Sequence, residues 1–341
     1  MLATASESGS LATTIEAVVD SAGFSRLENQ WNRLLESSDS DCLFLTWEWL
    51  FTWWKQFSDG RRLSILALRS GDELVAVAPL CMNPSNPSRG QILPALQFLG
   101  TGNVGSDYLD MIVQRGYEKV AAQGFADRIN QSGLALQCAQ LRRHEAASYE
   151  IARSLDEKRW ILTDAATNVC PYIPLDGCSW NSYLASLGAE HRYGLNRKWK
   201  RLNRDFAVRI EEVKSESQCE RAIEATIQLH NLRWTDRGRS NAFDSHSLTD
   251  FHREFSMIAL RRGWLRLYLL RLDEQVAACL YGFFYRGKFY FYQSGFRPAF
   301  ERHSPGFLLL GYSIRRAIEE GAFEYDLLHG DEAYKFHWTA C

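Results

Sequence analysis

The sequence has no paired cysteines at metal or redox spacing, no long apolar run and no surplus of either charge. Its eight cysteines, Cys42, Cys81, Cys138, Cys170, Cys178, Cys219, Cys279 and Cys341, stand singly. Neither a C-x-x-C nor a His pair at zinc-ligand spacing occurs, so no metal is expected, and reduced thiols packed as small core hydrophobes are. Nothing approaches the roughly 18 uninterrupted apolar residues of a spanning helix. The opening MLATASESGS has neither a basic nor an apolar leader region, which reads as a soluble cytoplasmic chain with no transmembrane segment. A net charge of -2 supplies no global field for nucleic acid or anionic lipid, so any such partner needs a local patch.

What is present is ample core material. With 341 residues, 46% of them apolar, the length suits two domains. TTIEAVVD alternates like a strand, FSRLENQWNRLLESS and FLTWEWLFTWWKQF carry helical spacing, and LSILALRSGDELVAVAPLCM reads as a hairpin about a Ser-Gly-Asp turn. NPSNPSRGQILP is a loop, followed by strands in LQFLG and YLDMIV. The hairpin recurs: LSILALRSGDELVAVAPL matches LRLYLLRLDEQVAACLYG, which starts at Leu265, with one residue deleted. In each half two helical segments precede it and a strand-loop-helix-strand series follows, so one repeated unit is expected; two unrelated amphipathic hairpins would also look alike. AATNVCPYIPLDGCSW breaks the helical periodicity, which places the boundary so that residues 1–170 and 171–341 form the two domains.

From Gly287 the chain parses as strand, basic loop, helix, strand and closing loop. Arg297, Arg302 and His303 make the loop basic, Ser304 is the expected N-cap, Pro305 the first helical residue, and Gly321 the terminating glycine. No carboxylate occurs in that helix before Glu319. Its start, with Gly306 and Phe307 and with Arg302 alongside, therefore offers free N–H groups to a pyrophosphate; an ordinary surface cap is the plainer alternative. A second basic feature, EHRYGLNRKWKRLNRDF, gathers positive charge from Arg192 to Arg209. As a helix it puts Arg197, Arg201 and Arg204 on one face, fit for a phosphate-bearing partner or for a solvated face.

The order hairpin, strand, basic loop, glycine at the helix start and following strand resembles the acyl-CoA site of the GNAT superfamily. LHNLRW with Gly238, RHSPGFLL and YDLLHGDEAYK resemble its CelD-like subgroup, linked to cellulose and exopolysaccharide biosynthesis and related to Fem-type aminoacyltransferases. The resemblance implies an α/β (α+β) fold of two tandem GNAT-like units, each a mixed central sheet flanked by helices. It further implies acetyl-CoA or another acyl-CoA as co-substrate, held by Arg302, Ser304, Pro305, Gly306 and Phe307, and an amine or hydroxyl acceptor on a sugar, nucleotide-sugar or polysaccharide precursor. The first half, with GTGNVGSDYLD at the matching place, lacks a basic residue there, so a single donor site in the second half is expected.

Acyl transfer from a thioester needs a base, oxyanion donors and an acid for the thiolate. Strand alternation puts Glu324 and Asp326 on one face of FEYDLL, and Asp326 is the first candidate base, with loop anchoring as its structural alternative. His329 is a second base candidate, its ordinary pKa being near neutral. The resemblance makes Tyr334 the acid and Lys335 a contact to acceptor or phosphate. His230 and Trp234, one helical turn apart, are candidates to line the acceptor pocket, and Asp107 of the Asp107-Tyr108 pair is a candidate acceptor contact from the first half. Two rivals remain open: a Fem-like aminoacyltransferase using charged tRNA, and a non-catalytic scaffold whose mark is an occluded helix start at Ser304.

Overall fold

The computed structural model describes residues 12–84, 93–142, 146–234, 243 and 245–339, the side chains of Arg233 and Trp234 excepted. The proline-rich stretch at 85–92, Gly238 and the Trp234 side chain lie outside the described residues. The chain divides between Ala166 and Thr167 into two compact units.

The first unit runs β1 (Thr13–Val18), α1 (Ser21–Arg26), α2 (Glu28–Glu36), α3 (Trp47–Phe57), β2 (Arg62–Leu63), β3 (Ile65–Ser70), β4 (Glu73–Ala78), β5 (Leu80–Asn83), β6 (Ala95–Phe98), β7 (Ile112–Val113), α4 (Glu118–Ser132), β8 (Ala135–Gln137) and α5 (Ser148–Asp156). α3 starts where the Thr46 hydroxyl accepts the Trp49 N–H and buries Trp49, Leu50 and Trp53 one turn apart, the pattern of a helix with one core face. Two sheets result, ordered β1-β3-β4-β7 and β2-β5-β6-β8. The second exists because the hairpin strands are interrupted at Ser64 and Pro79. Pro79 has no N–H to give a ladder, while its carbonyl accepts from Leu99.

The second unit runs β9 (Tyr172–Pro174), α6 (Trp180–Ser186), α7 (Gly188–Asp205), β10 (Val208–Glu212), α8 (Glu216–Trp234), α9 (His246–Arg261), β11 (Leu265–Leu272), β12 (Gln275–Tyr285), β13 (Lys288–Phe296), α10 (Pro305–Glu319), β14 (Glu324–Asp326) and α11 (Ala333–Phe336). One mixed sheet, β10-β11-β12-β13-β14-β9, carries the unit, with β13 and β14 its parallel pair. α6, α7 and α10 share a core on one face through Leu184, Leu195, Leu202, Leu309 and Ile314. α8 packs on β13 so closely that a Cβ on Gly295 would stand 2.8 Å from the His230 nitrogen, which explains a glycine inside the strand.

The two hairpins correspond residue for residue. In the first, Ser70 pairs Glu73 across the turn and the register slips between Leu68 and Arg69. In the second, Leu272 pairs Gln275 and the slip falls between Leu270 and Arg271. An arginine thus stands at the same bulge in both, and the one-residue deletion expected from the sequence does not exist. In both units the strand before the hairpin pairs antiparallel with its first arm. Bulges occupy defined places in a fold, so a shared one speaks for a repeated unit.

Among the described residues no helix is long and apolar enough to cross a membrane. Cys42, Cys81, Cys219 and Cys279 are buried as free thiols.

Candidate functional site

β13 organises the site. It pairs β12 along its length but pairs β14 only from Lys288 to Tyr290. Among the described residues no strand lies along its other edge from Phe291 to Phe296, and an open edge is a ready template for an extended ligand bearing amides. The β12 register jumps there too: Tyr281 faces Gln293 while Gly282 faces Phe291, leaving Tyr292 as the extra residue of a bulge. The bulge inverts the alternation. Phe291 belongs to the core shared with α10, yet Gly295, four residues on, lies against α8 and Phe296 returns to α10 beside Gly306.

After Phe296 a 3-10 segment, Pro298–His303, leads to Ser304. Ser304 occupies the N-cap position as expected but does not cap. Its backbone is left-handed (φ 53°) and its side chain makes no cap hydrogen bond. The hydroxyl instead accepts from Lys198 Nζ at 2.9 Å. In α10 the first N–H bonded one turn back is Leu308, to the Ser304 carbonyl at 3.1 Å. The N–H groups of Gly306 and Phe307 are thus the unpaired ones of the helix start, Pro305 having none. No acidic side chain occupies the first turn.

Sequence reasoning treated the α7 arginines and this helix start as two features. The structure joins them: Arg197, Lys198, Arg201, Arg302 and His303 line one pocket of about 390 Å³. Arg197 and Arg201 therefore sit with Arg302. Arg204, expected on the same face, instead pairs with Asp205 at 2.8 Å. His303 is buried, its Nε2 lying 3.3 Å from Asp205 Oδ2.

The catalytic candidates separate. Asp326 is 1% exposed, and its Oδ1 accepts the N–H of Leu328 at 2.8 Å, a residue held at φ 56°. It orders the turn after β14, which is the structural alternative to the base it was expected to be. Glu324 pairs with Lys288 at 3.0 Å. Lys335 is 2% exposed, and its ammonium donates to the carbonyls of Leu328 and His329 and pairs with Glu332 at 2.9 Å. These contacts hold it inside the turn. His329 is exposed beside it. Tyr334 is half-buried, its ring edge-on to Phe291 with centroids 6.4 Å apart, where the open edge of β13 begins.

On the other face, under the bulge, lies a cluster the sequence only half showed. His230 is buried edge-on to Phe243. His252, also buried, lies with its Nε2 3.3 Å from Tyr292 Oη, and its ring is edge-on to Tyr281. Burial, with His230 nearby, pushes the His252 pKa down to about 3, so the ring is neutral at any working pH. His252 had no signal in the sequence, standing among Phe251 and Phe255 on an ordinary core face. In the first unit Asp107 is buried, next to Tyr108, which is left-handed (φ 58°) with Arg142 over its ring.

Residues 189–336 match the family described as "Acetyltransferase (GNAT) domain". No curated protein matches the chain. Among solved structures, FemX is similar with a TM-score of 0.62 at 12% identity, over 91% of this chain and 92% of that one. A conserved protein of unknown function from Bacteroides thetaiotaomicron VPI-5482 gives 0.58 at 11%, covering 95% of each. The C-terminal domain of a putative lysylphosphatidylglycerol synthetase from Agrobacterium fabrum gives 0.53 at 11%, over 90% of this chain and 78% of that one. Likeness at such identities is one of fold. The matched span falls within the second unit and indicates an acyltransferase.

Proposed function

We propose that the protein moves an acetyl or other acyl group from acyl-CoA to an amine or hydroxyl of a sugar, nucleotide-sugar or polysaccharide precursor. The observation that carries the donor half is the basic pocket of Arg197, Lys198, Arg201, Arg302 and His303, tied to the start of α10 by the Lys198–Ser304 hydrogen bond. A diphosphate seated there directs a pantetheine arm along Phe291 to Phe296, amide to amide, towards Tyr334.

The acceptor attacks the thioester directly, its nitrogen or oxygen bonding to the carbonyl carbon. The acceptor's proton passes to His329, the second base candidate; collapse breaks the carbon–sulfur bond, and the thiolate takes a proton from the Tyr334 hydroxyl, which solvent restores. Of the proposed binding residues, Gly306 and Phe307 act through their N–H groups, Arg302 through charge, and Ser304 through the hydroxyl that Lys198 holds. Pro305 presets the helix start. His230 stays in the acceptor assignment as part of the cluster under the bulge. Asp107 stays in it as a first-unit contact. The sugar class rests on the CelD-like resemblance.

The fold shared with FemX favours one further reading, aminoacyl transfer from charged tRNA, for which Arg192 and Lys200 add positive charge along α7. The scaffold reading requires an occluded helix start; the half-buried Ser304, Gly306 and Phe307 weigh against it. The deciding experiment follows thiol release from acetyl-CoA with amino sugars and nucleotide-linked amino sugars as acceptors. Acceptor-dependent release with an acetylated product supports the proposal. Saturable tRNA binding that weakens steeply with salt, without any thiol release, transfers the assignment to aminoacyl transfer.

A further inference from the structure

The pocket at the start of α10 holds more charge than a diphosphate needs. Arg197, Lys198, Arg201 and Arg302 all line it. Among the described residues Arg197, Lys198 and Arg302 have no carboxylate partner, and Arg201 has only Asp205 at 3.8 Å. A diphosphate diester brings two negative charges. Lys198, fixed on the Ser304 hydroxyl at 2.9 Å, Arg302 two residues before that serine, and the N–H groups of Gly306 and Phe307 already answer it. Arg197 and Arg201, one turn apart on α7, remain.

A second observation points to a ligand. His303 lines the same pocket at 4% exposure, its Nε2 is tethered to Asp205, and its Nδ1 meets no hydrogen-bond partner. A buried ring nitrogen left unmatched is costly unless something binds it. The pocket volume of about 390 Å³ lies within the range of small-ligand sites, roomy enough for more than one phosphoryl group.

We infer that the pocket takes two anionic groups of one ligand: the diphosphate at the start of α10, and a ribose 3′-phosphate monoester on Arg197 and Arg201. The donor is thereby recognised through the terminal phosphate that distinguishes CoA from its dephospho form. This rests on the acyl-CoA reading of the same pocket. A phosphate monoester carries about 1.5 to 2 negative charges at neutral pH and offers three acceptor oxygens, which suits a pair of guanidiniums that bond phosphate in a planar fork.

The test is calorimetric titration of the full chain with CoA and with 3′-dephospho-CoA, for the wild type and for Arg197→Ala. We expect dephospho-CoA to bind about tenfold or more weaker than CoA, the scale of a charged hydrogen bond. Arg197→Ala should lose affinity for CoA but hardly for dephospho-CoA, so that the gap closes. Equal binding of the two ligands by the wild type, or an equal loss for both in the variant, overturns the inference and leaves the acyl-CoA reading standing. Binding of neither ligand overturns both.

Discussion

Tyr334 and Asp326 sit a few residues apart and are built for different work. The tyrosine borders the open edge of β13, while the aspartate is buried with its Oδ1 on the Leu328 N–H. Tyr334→Phe should lower kcat by about 100-fold, the scale of a lost general acid, with CoA affinity unchanged by calorimetry. Asp326→Ala should instead lower stability by about 1–3 kcal/mol in urea denaturation, because it strands a buried N–H. A large kcat loss in a stably folded Asp326→Ala would return it to the role of base. His252 gives a pH signature. Its folded pKa, about 3, lies below the ordinary 6.5, so the unfolded chain binds more protons between those values. Stability contributed by the neutral ring is full above 6.5 and is lost as pH falls towards 3, with a slope of up to about 1.4 kcal/mol per pH unit. His252→Gln should flatten that part of the urea-midpoint profile; an unchanged profile contradicts the assignment.

Among the elements, the hairpin and the start of α10 were legible because both are local. Period-2 alternation with an acidic turn marks one, and Ser304-Pro305 with an acid-free first turn marks the other. Their finer geometry was not. The Ser304 hydroxyl meets Lys198, 106 positions away in the chain, and a contact of that range leaves no trace in spacing. The bulge at Tyr292 has no glycine or proline to announce it, and the His252–Tyr292 contact spans separate elements. Lys335 reads from the sequence as a contact to acceptor or phosphate, and only the folded turn shows carbonyls converging on it. The open edge of β13 makes its own prediction. Amide hydrogen exchange should be fast within Phe291 to Phe296 wherever the N–H faces away from β12, and should slow on saturation with acetyl-CoA. Unchanged exchange with ligand bound would place the arm elsewhere.

At the scale of the molecule, two units repeat a hairpin with an arginine at the same bulge, and the basic pocket belongs to the second. Where the first has glycines and a left-handed Tyr108, the second has a basic loop running into a helix. The order of elements was readable along the chain, whereas the tearing of the first unit's hairpin at Ser64 and Pro79 into two sheets depended on pairing partners far off. The central claim is that the start of α10 binds the donor, and Gly306 is the place to test it. Its φ is not left-handed, and a Cβ there would meet only Phe296 Cδ1, at 3.4 Å, so a larger residue is tolerated by the fold while obstructing a phosphate. The measurement is calorimetric titration of acetyl-CoA into the wild type and Gly306→Val, with thermal unfolding run on both. The account predicts saturable binding by the wild type and its loss in a variant of near-native stability. Undiminished affinity in Gly306→Val would contradict it.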